Sequence, residues 1–393
     1  AWVSVSGTNR PPNSPKRPRA SGTEAVALDA PGTVLMEAIL WQDNSKGRQQ
    51  TRPQVIRTAG HVPTSPTPIL TLVADDVNAT AGNPMKAPRL QRVCGVDFSG
   101  ASKSGKTAWM AKFEADWSAE TLKLVQLASL GKLAGSDERS AVCSYLAEQI
   151  SASQDTLWAM DFPFGLPIEL GGDDWMAQLD MVLSFEPDGG SGNPAAAFGR
   201  QLSVTAREIV SNGRIRRKTD VETSTPFDSY HYRIIYQTFH GMRDVLLPIS
   251  KTPGTAVIPF QYHKMESASR IVVESCPSSS LKYWGLPHSR YKQSGGKPPT
   301  SVHRSNRTLI MRGIHALPKL FSVKDFSGNA ENRRIPSSPS ISSHRRRVIM
   351  QDSGGDALDA VLAGLGGWRA FHNTNHADVL SDTRYCLEGR VYS

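Results

Sequence analysis

Five carboxylates stand where they could act together. Asp97, Asp161 and Glu274 each close a short apolar run, and Asp356 and Asp359 open a stretch of small residues. The three runs, Val93–Phe98 with its acid at Asp97, Thr156–Met160 ending in Asp161, and Ser269–Glu274, read as buried strands that end in a carboxylate. In an open α/β sheet ligands gather beyond the carboxyl ends of the strands, so acids at those ends converge. Asp356 and Asp359 are three apart and share a helix face. Carboxylates held close repel one another unless a cation neutralises them. An all-oxygen donor set suits Mg²⁺ or Mn²⁺. Two such ions about 4 Å apart can activate a water and stabilise the leaving oxygen of a phosphodiester. Each acid taken singly also has a structural reading, as a turn cap or a complement to a helix dipole. Their repetition at corresponding places is what favours a site.

Pattern also indicates the elements that must position these acids. After the first run, Trp109, Ala111 and Phe113 alternate, as do Leu122, Leu124 and Gln126 beyond the turn-like Asp116–Glu120, which predicts a hairpin. Ser136–Ile150 reads as a helix with Val142, Leu146 and Ile150 on one face. FPFGLP, after Asp161, forces the chain out of regular structure through two prolines and a glycine. Residues 171–260 form a long insertion with a Gly-rich stretch (Asp188–Asn193), a basic cluster (Arg214–Lys218) and a helical-looking Tyr230–Leu247. The final helix opens in DSGGDALDAVLAG, whose small residues permit close packing on a sheet.

Composition divides the chain. Residues 1–90 are rich in Pro, Ser and basic side chains, with only short apolar runs at Val34–Leu40 and Ile69–Val73, and read as a flexible extension. KRPR (Lys16–Arg19) there is a short basic cluster of a kind common in such tails. Residues 91–393 read as the folded domain. The net charge is +9, but 14 Lys or Arg fall between Lys282 and Arg347 against only Asp325 and Glu331. That segment is therefore +12 and the remainder −3. Such a local excess suits a polyanion, and Arg345, Arg346 and Arg347 are the candidate nucleic-acid contacts. The alternative is a solvated basic loop, with SSPSISS (Ser337–Ser343) as its most flexible part. The four cysteines form no CxxC pair, which excludes zinc-knuckle and thioredoxin-type chemistry and leaves Cys94 as a core residue. No 18-residue apolar run predicts a membrane helix and no secretory signal is recognised. The wide spacing of the cysteines favours free thiols, so the reducing cytoplasm is the expected compartment.

GVDFSGA (Gly95–Ala101), DFPFGLP (Asp161–Pro167), VESCP (Val273–Pro277) and GDALDAVLAG (Gly355–Gly364) resemble, in order, the motifs of DUF 429, a domain-of-unknown-function family predicted to be RNase H-like nucleases. Tyr291-Lys292 is also similar to that family. The resemblance covers roughly residues 92–370. It implies an α/β fold with a mixed five-stranded RNase H-like sheet flanked by helices, β1 to β3 antiparallel. It also implies metal-binding roles for Asp97, Asp161, Glu274 and Asp356 or Asp359. The expectation is a metal-dependent hydrolase of nucleic acid or nucleotides, with Asp97 bridging, Asp161, Glu274 and Asp356 completing the shell, and Asp359 as the alternate helix ligand.

Two other classes compete. Gly100–Thr107 (GASKSGKT) fits the P-loop pattern GxxxxGK[ST], and Asp161 could then serve its magnesium. A P-loop must run into a helix, so a strand over Thr107–Phe113 would remove this reading. An actin-like phosphotransferase would use the same turn, but a duplicated domain and a second glycine-rich motif are missing from the sequence. A non-catalytic nucleic-acid-binding module would explain the basic segment and leave five carboxylates without a purpose.

Overall fold

The apolar run ending at Asp97 forms strand β1 (Arg92–Asp97), and the sheet grows outward from it on both sides. In the computed structural model, residues 88–187, 192–293, 295–320 and 335–393 are described. The expected N-terminal extension therefore lies outside the described residues as far as position 87, as do most of the Gly-rich stretch and residues 321–334 of the basic segment. On one side of β1 the hairpin β2 (Trp109–Asp116) and β3 (Thr121–Ser129) continues the sheet antiparallel. On the other, β4 (Thr156–Asp161) pairs with β1 in parallel, in a register that sets Asp97 opposite Asp161. Two further parallel strands come next, β6 (Arg270–Glu274) and then β5 (Thr255–Ile258). The strand β7 (Ser338–Ser340) adds to β3, giving one mixed sheet in the order β5-β6-β4-β1-β2-β3-β7.

The sheet thus has seven strands where five were expected. Both additions are short edge strands with little sequence signal. β5 is TAVI, closed in by Pro253 and Pro259, inside what reads as a helical insertion. β7 falls within SSPSISS, which was expected to be the most flexible part of the basic segment. It is instead pinned, because the Ser337 and Ser338 amides donate to the Glu120 carbonyl and the Trp368 indole donates to the Pro336 carbonyl at 2.7 Å.

Helices cover both faces. Between β3 and β4 lie α1 (Leu130–Ala134) and α2 (Arg139–Ala152). The single helix expected over Ser136–Ile150 begins late because α1 ends at Gly135 in a left-handed conformation (φ 68°), and the chain restarts at Arg139. The insertion supplies α3 (Ile168–Gly171), α4 (Trp175–Ser184), α5 (Pro194–Ile209), α6 (Lys218–Glu222), α7 (Ile235–Gly241) and α8 (Leu247–Ser250), the last two joined by a π-helical turn, Met242–Leu246. After β6 come α9 (Pro277–Tyr283), α10 (Ser301–Leu320), α11 (Ser343–Gln351), α12 (Asp356–Asn373), α13 (His376–Ser381) and α14 (Thr383–Glu388). Alternation along the strands divides the core. Val93, Ala159 and Val273 face α12, whereas Cys94, Val96, Trp158 and Met160 face α2 and the insertion.

Helix α12 lies unusually close to the sheet. A Cβ on Gly95 would sit 2.1 Å from the Ala360 carbonyl oxygen, and one on Gly367 would sit 2.4 Å from the Ala159 Cβ. Small residues on both surfaces are what allow this approach, and it brings the first turn of α12 over the carboxyl ends of β1 and β4. Among the described residues no helix is long and apolar enough to cross a membrane.

The P-loop reading does not survive the fold. Ser104–Lys106 form a single 3₁₀ turn and the chain then enters β2, so the helix that a P-loop must run into is replaced by a strand. Gly105 packs against the α1–α2 region instead, where its Cβ would meet the Gly131 Cα at 2.6 Å, and Lys106 is exposed.

Candidate metal centre

Asp97 and Asp161 end two adjacent parallel strands in register, and Asp359 enters from the first turn of α12. One carboxylate oxygen from each lies within 4.8 Å of the others. An ion that bonds oxygen at about 2.0–2.5 Å spans about 4–5 Å between opposite ligands, so the three acids match one divalent cation. Asp97 is only 7% exposed, yet among the described residues no hydrogen bond reaches its carboxylate. A buried acid without a donor is costly to ionise, and a bound cation is the natural remedy.

The electrostatics agree. Burial pushes Asp97 well above the ordinary carboxyl range, with Asp359, Asp356 and Asp161 adding to the rise and Lys292 opposing it. Burial likewise raises Asp161 to about 8, helped by Asp359 and Glu274 and opposed by Lys292. Asp359 is raised by burial too, against the pull of Lys292 and Tyr291. These are acids crowded into low-dielectric surroundings that cannot all ionise without added positive charge.

Asp359 is the best oriented of the three. The Tyr291 hydroxyl donates to its Oδ1 at 2.9 Å, and the Lys292 ammonium forms an ion pair with its Oδ2. Tyr291 is fixed in turn by Arg307 of α10, whose Nε donates to the Tyr291 carbonyl at 2.7 Å while its Nη atoms bind the carbonyls of Ile349, Asp352 and Ser353. For Lys292, the lowering effect of burial is outweighed by Asp359, Tyr291 and Asp97, so the amine stays charged. Its side chain is nevertheless 45% exposed.

The other two expected ligands are placed differently. Asp356 stands one turn before Asp359, and its oxygens lie outside the 4.8 Å cluster. Burial lifts it to about 7, with Asp352 and Asp359 adding and Lys292 opposing. Of the two helix acids, Asp359, expected as the alternate ligand, lies within the cluster, and Asp356, expected as the primary one, lies outside it. The reason is the N-terminal turn. Gly355 in a left-handed conformation (φ 84°) starts the helix so that position 359, not 356, projects over the strand ends. Glu274 lines the same cleft but is committed to Arg217, which binds it in fork fashion at 2.8 and 2.6 Å, and its Oε2 also accepts from the Phe164 amide at 2.9 Å. Arg217 is itself buried and holds Asp220 at 3.0 and 2.8 Å and the Glu388 carbonyl at 3.2 Å. Asp220 and Glu274 keep its pKa well above the ordinary value despite the opposing effect of burial.

Arg217 and Lys292 are the site residues whose roles the sequence did not reveal. Arg217 belongs to the basic cluster Arg214–Lys218, and only the fold shows that it reaches an acid 57 positions away. Lys292 was visible as part of Tyr291-Lys292 and of the basic segment, without a partner. The three acids open onto a cleft of about 350 Å³ that Arg217, Lys292, Tyr291 and Phe227 also line.

Arg345, Arg346 and Arg347 sit on α11, so they belong to a helix rather than to a flexible arm. Arg345 is turned inward and donates to the Val125 carbonyl of β3. Arg346 and Arg347 are exposed and line a separate surface hollow with Arg304 of α10. No protein-family model matches this chain, and no curated protein and no solved structure is significantly similar to it.

Proposed function

We propose that this chain is a metal-dependent phosphodiesterase of the RNase H-like type, acting on nucleic acid or a nucleotide. The observation that carries the reading is the trio Asp97, Asp161 and Asp359, two buried acids and one half-buried one, from two strand ends and one helix, with oxygens within 4.8 Å. The antiparallel β1-β2-β3 arrangement and the strand-end carboxylates agree with what the resemblance to DUF 429 implies.

Asp97, Asp161 and Asp359 would hold Mg²⁺ or Mn²⁺, hard cations that prefer such oxygens. When bound, the ion supplies Lewis-acid stabilisation of charge developing on phosphoryl oxygens. The chain's own groups do the rest. Tyr291 holds Asp359 in orientation. Lys292, charged and half exposed at the cleft wall, is free to exchange its contact with Asp359 for a phosphate oxygen. Burial raises the pKa of Glu274, and Arg217 and the Phe164 amide oppose that rise and hold the carboxylate in place, so Glu274 acts as a positioning residue, steadying the Asp161-Phe162-Pro163-Phe164 turn.

Hydrolysis of bis(4-nitrophenyl) phosphate and of a labelled oligonucleotide, with Mn²⁺ or Mg²⁺ and with chelator, tests the proposal. Metal-dependent cleavage that Asp161→Asn abolishes is the expected result. Oligonucleotide binding without hydrolysis of either substrate in either metal would replace the proposal with a non-catalytic binding module.

A further inference from the structure

The loop between α6 and α7 carries a feature with no part in holding a metal. Phe227, His231 and Tyr232 form a short ladder of rings. Phe227 and His231 stack at 4.7 Å with an interplanar angle of 20°, and His231 and Tyr232 lie next at 4.4 Å and 35°. The Arg233 guanidinium lies 5.6 Å from the Phe227 ring and 5.8 Å from that of Tyr232. The loop is held rigidly. Buried Asp228 receives Arg214 at 3.0 Å and pairs with Arg216 at 3.1 Å, the Tyr230 hydroxyl accepts from the Ile215 amide at 2.8 Å, and Thr238 donates to the Ser229 carbonyl at 2.6 Å.

This ladder joins two concavities. Phe227 at one end lines the carboxylate cleft. Tyr232 at the other end is 72% exposed and lines a groove of about 390 Å³ between α5 and the loop. That groove is walled by Tyr230, Tyr236 and Val204 and carries Arg200 and Arg207, with no carboxylate among its lining residues. Both arginines are exposed, and neither makes an ion pair among the described residues. An exposed tyrosine on a pinned loop, beside two cations without counter-charges, is poorly explained by folding needs.

We infer that the ladder and the arginine-lined groove form a track for unpaired nucleic acid, leading from the groove to the carboxylate cleft. Ring faces take up bases only when those bases are not stacked within a duplex, whereas every unpaired base offers a face. Arg200, Arg207 and Arg233 match the charge of a phosphate backbone running beside the bases. This inference rests on the phosphodiester reading of the carboxylate cleft and narrows its substrate to a single strand.

The test is fluorescence anisotropy of the full chain with a labelled 12-nucleotide single strand and with the duplex of the same sequence, in chelator so that nothing is cleaved. The single strand should bind more tightly than the duplex. Tyr232→Ala should weaken single-strand binding on the order of tenfold, and Tyr232→Phe should restore it, because stacking needs the ring and not the hydroxyl. Arg200→Ala with Arg207→Ala should flatten the single-strand salt slope by up to about 1.4. Mn²⁺ affinity and hydrolysis of bis(4-nitrophenyl) phosphate should be unchanged in all three proteins. Equal or tighter binding of the duplex, an unaltered affinity in Tyr232→Ala, or equal binding of poly-glutamate would overturn the track. If the small diester is still hydrolysed in that case, the phosphodiester reading stands without it. Loss of both activities in the unmodified chain would overturn both.

Discussion

Asp97 is the most exacting residue in the molecule, since it is buried and receives no hydrogen bond among the described residues. Its neighbour Asp161 sets a pH dependence whose sign can be worked out. The folded pKa of Asp161 is about 8 and that of Asp356 about 7, against an ordinary aspartate value near 3.9. Below about pH 4 both folded and unfolded chains keep these protons, so the groups cost nothing. Between about 4 and 8 the unfolded chain releases them while the folded site holds them, and stability falls over that window. Thermal melts of metal-free protein should therefore show Tm declining as pH rises toward 8, and the stabilisation by Mn²⁺ should grow over the same range. Asp161→Asn should flatten both trends, raise the metal-free Tm at pH 8 by a few degrees, and lose Mn²⁺ binding in calorimetry. A second prediction concerns Arg217. Truncating it leaves Glu274 and Asp220 buried without their partner, so Arg217→Ala should cost about 3–5 kcal/mol in urea unfolding. The candidacy of the strand-end acids was legible in the sequence because each closes an apolar run. The commitment of Glu274 to Arg217 was not, because no local pattern reports a contact between residues in an insertion and a distant strand.

At the scale of elements, the site depends on how closely α12 approaches β1. With the Ala360 carbonyl 2.1 Å from where a Gly95 Cβ would stand, Gly95→Ala must push the helix and the strand apart. It should destabilise the fold by about 2 kcal/mol or more, as overpacking does, and weaken Mn²⁺ binding by carrying Asp359 away from Asp97. Calorimetry at a temperature where the variant is still folded separates the two effects. Lys106→Ala, in contrast, should leave Mn²⁺ affinity and hydrolysis unchanged, because the Gly100–Thr107 segment is a turn leading into a strand. The long strands and the final helix were readable from apolar runs, alternation and small-residue spacing. β5 and β7 were not, because four and three residues carry no usable periodicity and pairing with a neighbour decides their conformation. The P-loop pattern failed for the related reason that its eight residues encode a turn and leave open whether a helix or a strand comes after it.

Across the whole molecule the charge is arranged more rigidly than composition suggests. Much of the +12 segment is built into α10 and α11, and Arg307 is spent inside the fold as a clamp between them and Tyr291. Arg345 is likewise engaged with β3, which leaves Arg346 and Arg347 as the exposed pair of the three. Arg346→Ala with Arg347→Ala should therefore flatten the salt slope of single-strand binding by up to about 1.4, and adding Arg345→Ala should change the slope no further. Anisotropy at several salt concentrations reads this directly. The account as a whole turns on whether the three acids hold a divalent ion, and crystals of the full chain grown with MnCl₂ and measured at the manganese absorption edge test that most directly. An anomalous peak bonded to Asp97, Asp161 and Asp359 at about 2.0–2.4 Å is the predicted result. A cleft without such a peak, with the Lys292 ammonium still seated on Asp359 at saturating Mn²⁺, would contradict it.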